Sequence, residues 1–208
     1  KIPGKPQFLS LNVGSGYRAH PLNGSIHDEF YAFRDYNIYD VPATYTSINS
    51  VNLFDATSNI IGTGTDAEVA TAVNSLFSDM SGWKISLKKS DGTWEGEKVQ
   101  ASALTFKGKV IFSTFSPVAA NQVNSCAASQ GTAKTYIVSL FDATPIKDDG
   151  VRFEVLKKSG ISPEAVVIFP TDTNGNATEP RIFVGQEDLT GIGGLDKEVT
   201  TTNWLQNK

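Results

Sequence analysis

The stretch Val51-Asn-Leu-Phe-Asp-Ala-Thr57 returns as Val138-Ser-Leu-Phe-Asp-Ala-Thr144, with six identities in seven positions and a spacing of 87 residues. Chance rarely writes one phrase twice at that fidelity, and an echo at long fixed spacing marks a repeated structural unit. The phrase also indicates what kind of unit. Apolar residues at alternate positions suit a strand, and an Asp two places before a Thr suits the turn that ends it. A chain organised around such phrases is expected to fold from sheets.

The rest of the sequence agrees with that expectation. Phe8–Val13 alternates, Asn23-Gly24 can turn the chain, and Glu29–Arg34 is placed to run back as a hairpin partner. Val51–Phe54, Trp83–Leu87, Ala103–Phe106, Val110–Phe115, Thr135–Phe141, Arg152–Leu156, Ala165–Phe169 and Arg181–Val184 are further strand candidates. Asp91-Gly92, Lys107-Gly108, Asp149-Gly150 and Asn174-Gly175 fall between them, and each Gly supplies the positive φ that a tight antiparallel turn requires. One segment departs from this pattern. Asp66–Met80 sets Val69, Val73, Leu76, Phe77 and Met80 on one helical face, Thr65 and Glu68 form a capping box, and Gly82 stands where a helix commonly stops. The polar stretch Ser116–Lys134 reads as an exposed loop.

Charge and chemistry narrow the function. Lys and Arg number 18 against 22 Asp and Glu, giving a net charge of −4 without a basic cluster, so nucleic acid and anionic membranes are not expected partners. No apolar run approaches the roughly 20 residues needed to span a bilayer. Gly62-Thr-Gly64 before the helix imitates a dinucleotide fingerprint, but no βαβ alternation follows it. His20 and His27 match no zinc spacing, and no carboxylate pair can be placed across a sugar ring. The oxygen-rich Asp172-Thr-Asn174-Gly-Asn176 begins like a calcium loop, yet Phe183 stands where the closing acid of an EF-hand belongs. Asp172, Asn174 and Asn176 are therefore the metal candidates, with a hairpin turn as the simpler reading. The single cysteine, Cys126, has no partner in the chain; it is either an inert small residue or one half of a bridge to chain outside it. The expectation is a protein that is not an enzyme, with no catalytic residues and no cofactor within this chain.

The repeated phrase resembles the strand-ending Tyr-x-Leu-Asp-Ala-x-Thr-Gly of quinoprotein-like β-propeller blades, and Phe30–Asp35 is a looser third copy. Around it, "GSGYRAHPL", "HDEFYAFRD", "GWKISL", "GEKV", "GKVIFSTFSP", Cys126, Gly131 and "TYIVSLFDA" follow one another over about residues 8–185. That succession resembles the C-terminal propeller domain of the PilY/PilC family, biogenesis factors and tip-associated adhesins of type IV pili. The resemblance implies an all-β fold of propeller blades with one short inserted helix. It makes residues 1–208 a single domain that forms the C-terminal portion of a larger ring. It implies a role in pilus assembly and attachment, pilus subunits and a host-cell or surface receptor as partners, and an extracellular or outer-membrane-associated location. The family's Asp-rich calcium loop is not recognisable here and would lie upstream of residue 1. The alternatives are a propeller enzyme, either a quinoprotein-like dehydrogenase or a glycosidase, and a stand-alone carbohydrate-binding β module.

Overall fold

In a computed structural model describing residues 2, 4–38, 41–117, 131–176 and 178–192, the chain lays down three sheets in sequence order. The first holds β1 (Leu9–Gly14), β2 (Glu29–Asp35), β3 (Phe54–Asp55) and β4 (Gly82–Ser86), ordered β1-β2-β4-β3. The second holds β5 (Lys98–Val99), β6 (Leu104–Phe106), β7 (Lys109–Ser116), β8 (Thr132–Ser139) and β9 (Phe153–Val155). Its order is β5-β7-β8-β9, and β6 also pairs with β7. The third is β10 (Ala165–Ile168), β11 (Arg181–Val184) and β12 (Glu187–Asp188), in that order. All these ladders are antiparallel except β3–β4. The protein is thus mostly β, with several open sheets and few helices.

The sheets are joined through two cores. Phe30 and Ala32 of β2 and Trp83 and Ile85 of β4 meet Val110, Phe112, Tyr136 and Val138 of β7 and β8. The opposite face of the second sheet, through Ile111, Ala133 and Ile137, meets Ala165, Ile182 and Val184 of the third. β7 is consequently buried along its whole length, as two covered faces require. At the first contact the Phe30 and Phe112 rings stack at 3.7 Å and 7°, and Phe112 stacks in turn on Tyr136 at 4.8 Å and 6°.

The amphipathic segment forms helix α2 (Asp66–Ser78), and its Glu68 carboxylate accepts from Thr65 N and Thr65 Oγ1 at 2.8 and 2.7 Å. Val73, Leu76 and Phe77 carry it onto the first core. It is not alone: a short helix α1 (Ile60–Thr63) and a 3-10 turn (Ser50–Asn52) precede it. The strand expected over Val51–Phe54 is therefore helical turn at Val51 and Asn52, and strand begins only at Phe54. Asn49 Oδ1 accepts from Val51 N and Asn52 Oδ1 accepts from Asn49 N, and this local bonding competes with the extended chain.

Three other expectations change in detail. Gly82 does not stop the helix but opens β4 at φ +144°, and a Cβ there would stand 1.9 Å from the Ala32 carbonyl oxygen. β1 and β2 pair as expected, but through residues 15–28 and not through a tight Asn23-Gly24 turn. The stretch read as a loop over Ser116–Lys134 is strand at both ends, since β7 runs to Ser116 and β8 begins at Thr132, opposite it. Residues 118–130, with Cys126, lie outside the described residues.

Candidate binding cleft

The two Asp-Ala-Thr phrases do the same local work. Asp55 Oδ1 accepts from Thr57 N at 2.9 Å, and Asp142 Oδ1 accepts from Thr144 N at 3.1 Å. Ala56 and Ala143 are both buried between the sheets, where a larger side chain would not fit. Asp35 in the looser copy bonds Asn37 N in the same way at 2.8 Å. The halves ahead of the turn differ, because Val51 lies in the exposed 3-10 turn and Val138 lies within the buried strand β8. What repeats is the Asp-to-Thr bond and the small buried residue; the backbone differs, since Ala143 is left-handed at φ +59° and Ala56 is not.

Each turn is latched by an arginine from the other sheet. Arg34 of β2 donates to the carbonyls of Phe141, in the second phrase, and of Leu76 at the end of α2. Trp83 of β4 adds a 2.9 Å bond to the neighbouring Leu140 carbonyl. In the opposite direction, Arg152 beside β9 donates to the Thr57 carbonyl of the first phrase at 3.2 Å and to Asn59 Oδ1 at 3.0 Å. Burial lowers the pKa of both guanidiniums, that of Arg152 to about 10, so Arg152 remains a cation at neutral pH. The reciprocal latch explains why the phrase occurs once in each of the first two sheets.

Two further buried charges brace the second sheet. Glu97 accepts from Thr114 Oγ1 at 2.7 Å, Tyr136 Oη at 2.9 Å and Lys134 Nζ at 2.5 Å. Lys98, with no exposed surface, donates to the carbonyls of Pro21, Asn23 and Gly96 at 3.2, 2.6 and 2.6 Å. This ammonium holds the 15–28 loop against β5. Burial lowers its pKa, and the negative charge of Asp28 opposes that shift.

Between the two latched sheets, where β3 and β4 face β8 and β9, lies a cleft of about 820 Å³. Its lining includes Thr57, Asn59, Ser86, Lys88, Tyr136 and Arg152. Asn59 holds a left-handed conformation (φ +58°), which Asn tolerates better than most residues, and so presents its amide to Arg152.

The residues expected from sequence to hold a metal lie elsewhere, in the connection between β10 and β11. Asp172 Oδ1 accepts from the N–H groups of Asn174 and Asn176 at 2.8 Å each, and Oδ2 accepts from Asn176 Nδ2 at 3.0 Å. The side chains of Asp172 and Asn176 meet, and Asn174 joins through its backbone N–H, in a turn that bonds to itself; these bonds hold the Asp172 pKa below the usual carboxylate range. Among the described residues, no group of three or more His, Cys, Asp or Glu is placed to hold a metal ion. The two histidines are apart: His27 stacks on Trp94 at 4.2 Å, and His20 lies against Tyr17. Arg34, Arg152, Glu97 and Lys98 were not legible as site residues. The available signal was a lone charge embedded in each apolar strand phrase, as in Ala-Phe-Arg34-Asp and Arg152-Phe.

These features define a class: a mostly-β protein whose successive sheets pack face to face, the first two latched to each other through Asp-turn phrases. No protein-family model matches the chain, and no curated protein matches it. Among solved structures, its fold is similar to the crystal structure of the Pseudomonas aeruginosa PilY1 C-terminal domain, with a TM-score of 0.56 and 14% identity. The likeness covers 88% of this chain and 41% of that one, so the chain spans less than half the length of its structural relative. At that identity the likeness is one of fold.

Proposed function

We propose that this chain is a run of blades from a larger β-propeller, in a pilus-associated surface protein whose role is assembly and attachment and not catalysis. The observation that carries the reading is the PilY1-like fold over 88% of the chain, together with the family resemblance of its sequence phrases. Packing supports the propeller. β1 inverts the usual alternation: Leu9, Leu11 and Val13 point outward at 55%, 60% and 44% exposure, while Ser10 and Asn12 are more covered. At the far end of the stack, Val166 and Ile168 of β10 are about half exposed. Both terminal sheets thus offer an apolar face of the kind each internal sheet covers, which suits blades that continue in both directions.

In this reading the partners are pilus subunits and a surface or host-cell receptor, and the location is extracellular or outer-membrane associated. Among the described residues, no helix is long and apolar enough to cross a membrane. Calcium belongs to the upstream part of such a propeller, with Asp172, Asn174 and Asn176 the candidates inside this chain. Asp172→Ala should then weaken calcium binding by this chain, and unchanged affinity would remove them. The functional test is in-frame removal of this segment in the bacterium that encodes it, followed by counts of surface pili and of attached cells. Loss of both, restored by complementation, is expected; unchanged piliation and attachment would sink the proposal.

A further inference from the structure

We propose that the cleft between the first and second sheets binds a carboxylate-bearing oligosaccharide, with Arg152 and Lys88 meeting the acid and the hydroxyl- and amide-rich lining meeting the sugar ring. This goes beyond the pilus reading and needs only the cleft itself.

The charge pattern comes first. The chain as a whole carries a net charge of −4, yet the lining holds the cations Lys88, Lys89 and Arg152 against one carboxylate, Asp55. Lys89 is paired with Glu95, and Lys88 lies over the Trp94 ring at 5.9 Å. Arg152 hydrogen-bonds no carboxylate among the described residues; its acceptors, Thr57 O and Asn59 Oδ1, are neutral, and Asp142 and Asp55 act on its charge without bonding it. Of the five N–H groups in a guanidinium those two bonds use two and the Nε–H is buried, which leaves one on each Nη for a ligand or solvent. A cation partly withdrawn from water and not ion-paired favours an anion, and the planar fork of Arg matches a carboxylate.

Shape and lining choose the rest of the ligand. A volume of about 820 Å³ lies within the range of small-molecule sites. Ser58 and Ser90 bring exposed hydroxyls to the lining, and hydroxyls both donate and accept, as sugar hydroxyls do. Tyr136, Phe153 and Ile85 supply apolar surface for the C–H face of a ring. A bare inorganic anion would use the cations and leave these groups unengaged.

The test is a titration of the purified chain, followed by calorimetry and by amide NMR shifts. The probes are trigalacturonate, sialyllactose and a hyaluronan tetrasaccharide, with methyl-esterified trigalacturonate, lactose and sodium sulfate as controls. At least one acidic sugar should shift the amides of Thr57, Lys88 and Arg152. The corresponding neutral sugar should bind at least about tenfold more weakly, as loss of a charge-assisted contact implies. Because Arg152 also latches a turn, its variants risk unfolding, and Lys88→Gln is the cleaner change. It should weaken acidic-sugar binding at unchanged thermal midpoint, and Lys88→Arg should restore it. The proposal is overturned if none of the three acidic sugars perturbs the cleft, if neutral sugars bind as well, or if sulfate binds as tightly as the sugars.

Discussion

Glu97→Ala is the substitution whose cost the structure fixes most directly. The carboxylate is 4% exposed and receives three donors, two of them from residues that are themselves nearly covered: Thr114 at 2% and Tyr136 at 7%. Alanine would strand both hydroxyls, at about 1–3 kcal/mol each, and leave the Lys134 ammonium without its partner. Lys134 keeps some solvent contact and a cation–π contact with Phe153 at 5.0 Å, so its penalty is partly relieved. The net expectation is a loss of about 3–5 kcal/mol, the range for breaking a buried pair from one side. For a domain of this size that is a fall in Tm of about 6–20 °C. Glu97→Gln keeps an oxygen for the two hydroxyls and loses only the ion pair, so it should cost less. Adding Lys134→Met to Glu97→Gln should recover part of that loss. Urea unfolding followed by tryptophan fluorescence at pH 7 measures all three. If Glu97→Ala costs less than about 1 kcal/mol, or if Gln costs as much as Ala, Glu97 is not the hub of a buried network.

Phe112→Ala should cost about 3–5 kcal/mol, and a double-mutant cycle with Phe30→Ala should show a coupling of about 0.5–1.5 kcal/mol from their stacked rings; additive losses would show that the sheets do not meet there. Gly82→Ala should disrupt the β2–β4 ladder, since its φ and the 1.9 Å approach to Ala32 O both exclude a side chain; near-normal thermal stability would refute this close approach. Alkaline pH should also unfold the protein. Burial, then the hydrogen bond and charge of Glu29, push Tyr31 up to about 12 in the folded state, against an ordinary value of 10. A raised folded pKa stabilises fully below pH 10 and is lost as pH climbs toward 12, so midpoints should fall across that window. Tyr31→Phe should flatten part of the slope, and Tyr136, also raised by burial, should retain the rest.

Much of the fold was legible because strands carry a local signal. Val110–Phe115 and Thr135–Phe141 are apolar on both alternating sets, and the structure covers both faces of β7 and β8. The capping box over Thr65–Glu68 placed the start of α2 correctly. The features that escaped depend on partners distant in sequence. Asn23-Gly24 looked like a hairpin turn because nothing local shows that Lys98, 75 residues away, gathers the Asn23 carbonyl and holds down a longer loop. A charged residue read alone belongs at the surface, yet Arg34, Arg152 and Glu97 are held inside by acceptors and donors from other strands. The cleft was invisible for the same reason, since its lining is assembled from four separate stretches of chain.

The outward face of β1 allows a test that separates a propeller from a self-sufficient domain. Its register sets Leu11 opposite Phe33 and Val13 opposite Tyr31, so the exposed residues extend across β2 as one apolar surface. In a chain of this length by itself, that surface meets water and contributes nothing to the folded state. Leu11→Lys with Val13→Lys should therefore leave the thermal midpoint nearly unchanged and reduce concentration-dependent self-association, because single surface changes usually stay within about 0.5 kcal/mol. In a longer chain where another blade covers β1, the same pair would bury two unpaired ammonium groups. Destabilisation should then reach several kcal/mol, on the order of the penalty for burying charge without a partner. Measuring the pair in both contexts by thermal unfolding reads the difference directly. Equal and small effects in the two would mean that no blade packs on this face, and the propeller reading would fail at its first joint.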